Sequence, residues 1–174
     1  MTDDGLGGSD ALTTAKVPAA AIGREPFDVV ITATESTDGY TGIGPQALAE
    51  LLGIPAVTFA SGVISDGTAL TVTRQTESGS ETILAGLPCL VTVTAEVNEP
   101  RYPSLRGIMG AKSKPMDRLT LAELGLEGVG GGAATGQRVV SVTAADERPA
   151  GEVVTDGGDG AHRIVLLLAS ARVI

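Results

Sequence analysis

Residues 35–44, ESTDGYTGIG, are the stretch whose composition could do chemistry, with three glycines and four hydroxyl side chains between two ordered-looking runs. Before it stands 27–34, FDVVITAT, a nearly continuous β-branched run of strand length; after it come PQALAELL (45–52) and Gly53. Pro45 suits a first helical turn and Gly53 a helix C-terminus. Strand, glycine-rich loop and helix in succession place the loop at the carboxyl end of a strand. Open parallel sheets bind ligands there, and a helix N-terminus offers free N–H groups to a phosphate. The loop matches neither GxGxxG nor GxxxxGKS/T, so a structural turn and a nucleotide site both stay open.

A second stretch, 98–115, NEPRYPSLRGIMGAKSKP, looks made for contact. Across 98–118 five cations (Arg101, Arg106, Lys112, Lys114, Arg118) face two acids, a local charge of +3 in a chain of formal charge -9. Leu105, Ile108 and Met109 are candidate apolar anchors within this irregular, basic segment; a plain solvated connector is the alternative.

Other chemistry is poorly supplied. The single histidine, His162, and the single cysteine, Cys89, leave no His/Cys metal cluster and no internal disulfide to assemble. Cys89 sits among apolar neighbours and reads as a small core residue. Aromatic residues make up only 2% of the chain, too few for base-stacking platforms, and the acidic balance opposes phosphate-backbone binding. No apolar run reaches the roughly 18 residues of a membrane span. The N-terminal MTDDGLGGSD is unlike a targeting leader, so the expected location is cytoplasmic.

The 174 residues suit one domain built on Val, Leu, Ile and Ala. Residues 9–22, SDALTTAKVPAAAI, predict a capped helix that Pro18 should interrupt or kink. PAVTFA (55–60) predicts the next strand, giving a βαβ doubly wound unit with parallel strands. LTVTR (70–74), SETIL (80–84) and CLVTVT (89–94) then predict short antiparallel strands. LTLAELGL (119–126) predicts a short helix or turn, GVGGGAATG (128–136) a flexible linker, RVVSVT (138–143) a strand, and 161–174 a helix with an apolar face to cover.

The segment VTRQTESGSETILAGLPCLVT (72–92) resembles the conserved segment of electron transfer flavoprotein beta subunits. NEPRYPSLRGIMGAKSKP is similar to that family's recognition loop, and STDG followed by GIGPQ to its nucleotide-binding loop. The similarity runs from about residue 3 to Ile174. It implies an α/β fold: a truncated Rossmann-like (adenine nucleotide alpha hydrolase-like) parallel sheet with an antiparallel extension and a C-terminal arm. Residues 1–126 would form a partial nucleotide-binding domain that includes recognition loop 93–115. Residues 127–174 would form a linker and an arm packing on the alpha subunit.

The resemblance implies a heterodimeric, non-catalytic electron carrier of fatty acid beta-oxidation. The beta subunit binds AMP, while FAD is held mainly by the alpha subunit. Electrons pass from acyl-CoA and related dehydrogenases to a quinone oxidoreductase. The implied AMP-binding residues are Ala33, Ser36, Thr37, Asp38, Gly39, Thr41, Gly42, Ile43 and Gly44. Leu105 falls at the docking anchor, with Arg101, Arg106, Ile108, Met109, Lys112 and Lys114 around it.

Departures accompany the likeness. Gln75 stands where a glutamate is common, and Gly110 and Ser113 stand where lysines are frequent. The family's N-terminal third, with the sheet's first strands, has no counterpart in this sequence. The accompanying expectation is that this chain alone folds poorly and binds AMP weakly. Two other readings stay open: an adenine-nucleotide-binding regulatory module without flavin, and a non-functional truncated remnant.

Overall fold

A computed structural model describes residues 3–132, 134–137, 139–147, 151, 153, 155 and 157–174. The chain divides into two units, Met1–Arg138 and Val139–Ile174.

The first unit opens with a 3-10 turn, Asp4–Leu6, and helix α1, Ala11–Ile22. Asp10 caps α1 by accepting from Thr13 N at 2.8 Å. Pro18 lies inside α1, which continues past it to Ile22. The proline removes the bond its own N–H would have given to the Thr14 carbonyl, and its ring crowds that carbonyl. Buried Thr13, Ala15 and Val17 hold the helix, and tertiary packing outweighs the lost bond.

Strand β1, Val29–Ala33, helix α2, Gly44–Leu52, and strand β2, Ala56–Ser65, follow as the βαβ reading predicts. Pro45 sits in the first turn of α2, and Gly53 closes it in the left-handed conformation. The hairpins β3, Ala69–Thr76, and β4, Gly79–Gly86, extend the sheet antiparallel from β2.

Strand β5, Cys89–Val93, corrects the expectation for 89–94. It runs parallel to both β1 and β2 and lies between them, in the order β1-β5-β2-β3-β4. Its neighbours along the chain are antiparallel strands, but its four buried residues, Cys89 to Thr92, carry the continuous apolar and β-branched run of a strand covered on both faces. The sequence spacing drew it into the wrong set, whereas burial places it at the centre.

Alternation on β5 divides two cores. Leu90 packs with Val30, Leu48 and Ala49 beneath the helices, while Cys89 and Val91 pack with Val57, Ala60, Leu70, Val72 and Ala85. Burial pushes the Cys89 thiol pKa up, as suits a core residue. Thr92 uses its hydroxyl to accept from Phe59 N at 2.9 Å, which fixes the bulge where the β2 register shifts. Strand β1 is at an edge of the sheet, and its Ile31 is 67% exposed.

Residues 98–115 are not wholly irregular. They contain α3, Leu105–Ala111, started by Ser104, whose hydroxyl accepts from Gly107 N at 3.1 Å. Two glycines disguise this short helix, and the cap is its only strong local signal. Residues 121–125 form turns begun by a reciprocal cap, in which Thr120 N donates to Glu123 and Glu123 N to the Thr120 hydroxyl.

In the second unit the predicted strand over 138–143 does not form at the described residues 139–143; Arg138 lies outside the described set. Val139, Val140 and Val142 are 78–87% exposed, so β-branched composition found no neighbouring strand to pair with. Helix α4, Gly160–Ser170, matches the predicted terminal helix. Ile164, Val165, Leu166 and Leu167 on it are all more than half exposed. No helix among the described residues is long and apolar enough to cross a membrane.

Candidate functional site

Strand β1 delivers the loop 34–43 to the carboxyl edge of the sheet, and α2 departs from it. Between this loop, the first turn of α2 and the N-terminal half of α1 lies a cavity of about 620 Å³. That size falls within the few hundred to about 1,000 Å³ of small-molecule sites.

Seven of the nine residues expected at a nucleotide site line the cavity: Ala33, Ser36, Asp38, Gly39, Thr41, Gly42 and Gly44. Thr37 and Ile43 do not, and Ile43 is 56% exposed. Ile43 has a separate job as the residue preceding α2, where its carbonyl accepts from Ala47 N at 3.0 Å.

The loop is shaped by local bonds. Tyr40 N donates to Ser36 O at 3.2 Å, and Gly39 N reaches the Ser36 hydroxyl at 3.4 Å. Tyr40 and Gly42 both have positive φ, 48° and 65°. A Cβ at Gly42 would lie 3.7 Å from Glu35 Oε2, so the strain of replacing this glycine is in the backbone and not in crowding. The Ser36 side chain, then the amides of Asp38 and Gly39, hold the Asp38 carboxyl below its ordinary pKa. This carboxylate is committed to the loop.

The helix end supplies the opposite polarity. No side chain caps α2, whose preceding residue is an isoleucine, so the Gly44 N–H and the positive dipole end serve the cavity; Pro45, which also lines it, has no N–H to give. An uncapped helix start in a pocket suits a phosphate. Loop hydroxyls at Ser36 and Thr41 are within the same lining.

Sequence reasoning missed the far wall, which α1 provides through Ser9, Asp10, Thr14 and Pro18. Nothing local to 9–18 signals a site; only the packing of α1 beside α2 over Leu90 brings it there. Thr32 and Glu35, flanking the expected residues, also line the cavity, and the Thr32 hydroxyl is buried without a hydrogen-bond partner among the described residues. Among those residues no group of three or more His, Cys, Asp or Glu could hold a metal.

The expected docking residues are grouped on and around α3. Leu105, Ile108 and Met109 are 75%, 49% and 67% exposed, and their i, i+3, i+4 spacing puts them on one helix face. Arg101, Arg106, Lys112 and Lys114 are exposed, and among the described residues none is in an ion pair.

The model of the electron transfer flavoprotein domain matches residues 1–124. The chain is 42% identical over 176 aligned positions to the electron transfer flavoprotein subunit beta of Mycobacterium leprae, and equally to that of Mycobacterium tuberculosis. The alignments cover all of this chain and 66% of those proteins, so it spans just under two thirds of their length. The same-named Bacillus subtilis protein is 38% identical over 125 positions, covering 72% of this chain and 49% of that one.

Proposed function

Because this chain belongs to the electron transfer flavoprotein family, we propose that it acts as a beta-type subunit, binding AMP in the α1–α2 cavity and docking a dehydrogenase through α3. The observation that carries the nucleotide reading is the uncapped start of α2 facing a cavity of nucleotide size. The phosphate is held by the Gly44 amide at the start of α2 and by the loop hydroxyls. Ala33, Gly39 and Gly42 leave room for the rest of the nucleotide to approach the backbone. AMP has a structural task in this reading, and no residue of this chain acts as acid, base or nucleophile.

The flavin of an alpha-type partner supplies one- and two-electron chemistry when bound. This chain's contribution is contact. Exposed apolar residues on α4 provide area for that partner. Leu105 fills a pocket on the electron donor, an acyl-CoA or related dehydrogenase, while Arg101, Arg106, Lys112 and Lys114 steer the encounter. Onward transfer goes to a quinone oxidoreductase.

Co-expression with an alpha-type subunit tests this directly. A yellow heterodimer that contains AMP is the expected product; a colourless monomer that binds AMP would instead identify a nucleotide-binding regulatory module. In the yellow heterodimer, Leu105→Ala should lower the rate of transfer from the dehydrogenase by about tenfold, the scale of a hot-spot residue, with flavin content unchanged. An unaltered rate removes Leu105 from docking.

A further inference from the structure

Two parts of the first unit far apart in sequence meet at the start of α1. Asp10 uses both carboxylate oxygens: Oδ1 accepts from Thr13 N at 2.8 Å, and Oδ2 accepts from Gly136 N at 3.0 Å. Next to it, the Ser9 hydroxyl accepts from Gly131 N at 3.1 Å. A Cβ at Gly130 would collide with the carbonyl of Gly5, so this approach of backbone to backbone admits only glycine. The glycines of 128–136, which composition reads as linker, thus make a seat for residues 5–10.

Ser9 and Asp10 are also cavity wall. A helix can be capped by one acceptor oxygen, so the second oxygen of Asp10 is surplus to capping and ties the wall to a segment 126 residues away. The bonds to Thr13, with that to Gly136 adding to them, hold the Asp10 carboxyl below its ordinary pKa, so it is ionised and both oxygens accept.

We propose that Asp10 is a positioning residue for the nucleotide site, locking the α1 wall of the cavity to the glycine seat at Gly130, Gly131 and Gly136. The proposal rests on the reading of this cavity as the AMP site. Without the tie, α1 keeps its helix but its first turn moves independently of the seat, and the cavity loses a fixed wall.

Two variants of the full chain separate this from capping. Asp10→Asn keeps one acceptor oxygen for Thr13, since Asn caps as well as Asp, but its amide nitrogen cannot accept from Gly136. Gly130→Ala breaks the seat without touching a capping or cavity residue. Amide hydrogen exchange at Gly131 and Gly136 and AMP affinity by calorimetry are read for both. Faster exchange at these amides, AMP affinity lower by about tenfold and helical circular dichroism unchanged are expected, a loss on the scale of one charge-assisted hydrogen bond. Unchanged exchange in Asp10→Asn, or faster exchange with wild-type affinity, overturns the proposal. Failure of the unsubstituted chain to bind AMP both alone and in the co-expressed heterodimer refutes the nucleotide reading instead, a result that the exchange data do not produce.

Discussion

Leu90→Ala is expected to lower the free energy of unfolding by about 3 kcal/mol, within the roughly 2–5 kcal/mol that a buried leucine costs when truncated. Leu90 is fully buried at the centre of the sheet, on β5 between β1 and β2, and on the helix side it touches Val30 from the edge strand and Leu48 and Ala49 from α2. The lost methyl groups have partners on a strand and a helix that are held by different parts of the chain, so the gap cannot close by moving one side chain. A whole domain has about 5–15 kcal/mol to lose, which makes this one of the more damaging single changes available. Urea unfolding should show a lower midpoint with the same slope. Ile31→Ala, at 67% exposure on the neighbouring strand, is the control and should change stability by less than about 0.5 kcal/mol. Equal losses in the two variants would mean that β1 and β5 are not arranged as described.

The same strand shows how far the sequence could be read. The run before the loop, the proline at the start of α2 and the glycine at its end carry their own physical reasons, and each lies where those reasons put it. The β3–β4 hairpin likewise follows from alternation and spacing. What escaped depends on distance along the chain. Strand β5 pairs with β1 residues 60 positions back and with β2 residues 33 or 34 positions back, and short-range spacing can only suggest its nearest neighbour, β4. Asp10 is legible as a cap because Thr13 is three residues on, but its bond to Gly136 leaves no local trace. Val139, Val140 and Val142 show the converse error, strand composition without a strand to pair with.

The loop was legible as a candidate site because its signal is local: glycine and hydroxyl residues between a strand and a helix. Its resemblance to a nucleotide-binding loop added residue assignments, and seven of the nine named residues share one cavity. Thr37 and Ile43 fall outside it, and the order of residues along the loop carries no sign of which side chains face the cavity.

Gly44→Asp should move stability and nucleotide affinity in opposite directions. Gly44 is the first residue of α2, and a Cβ added there meets nothing within 4 Å, so an aspartate enters without crowding. Its carboxylate stands at the positive end of the helix dipole and beside N–H groups that no side chain caps, an interaction of about 0.3–1 kcal/mol in favour of folding. Replacing a helical glycine also removes a conformational cost. For a bound phosphate the same carboxylate is a rival for the amides and a like charge at close range. AMP affinity should therefore fall by about tenfold to a hundredfold, equivalent to about 1.4–2.8 kcal/mol. Gly44→Ala, with the helix gain and no charge, should keep AMP affinity near that of the unsubstituted chain. Adenosine, which has no phosphate to repel, should bind Gly44→Asp and Gly44→Ala alike. A melting temperature at or above the original, together with selective loss of AMP, places the phosphate at the start of α2. Undiminished AMP binding by Gly44→Asp would show that the phosphate does not use this helix end, whatever the cavity holds.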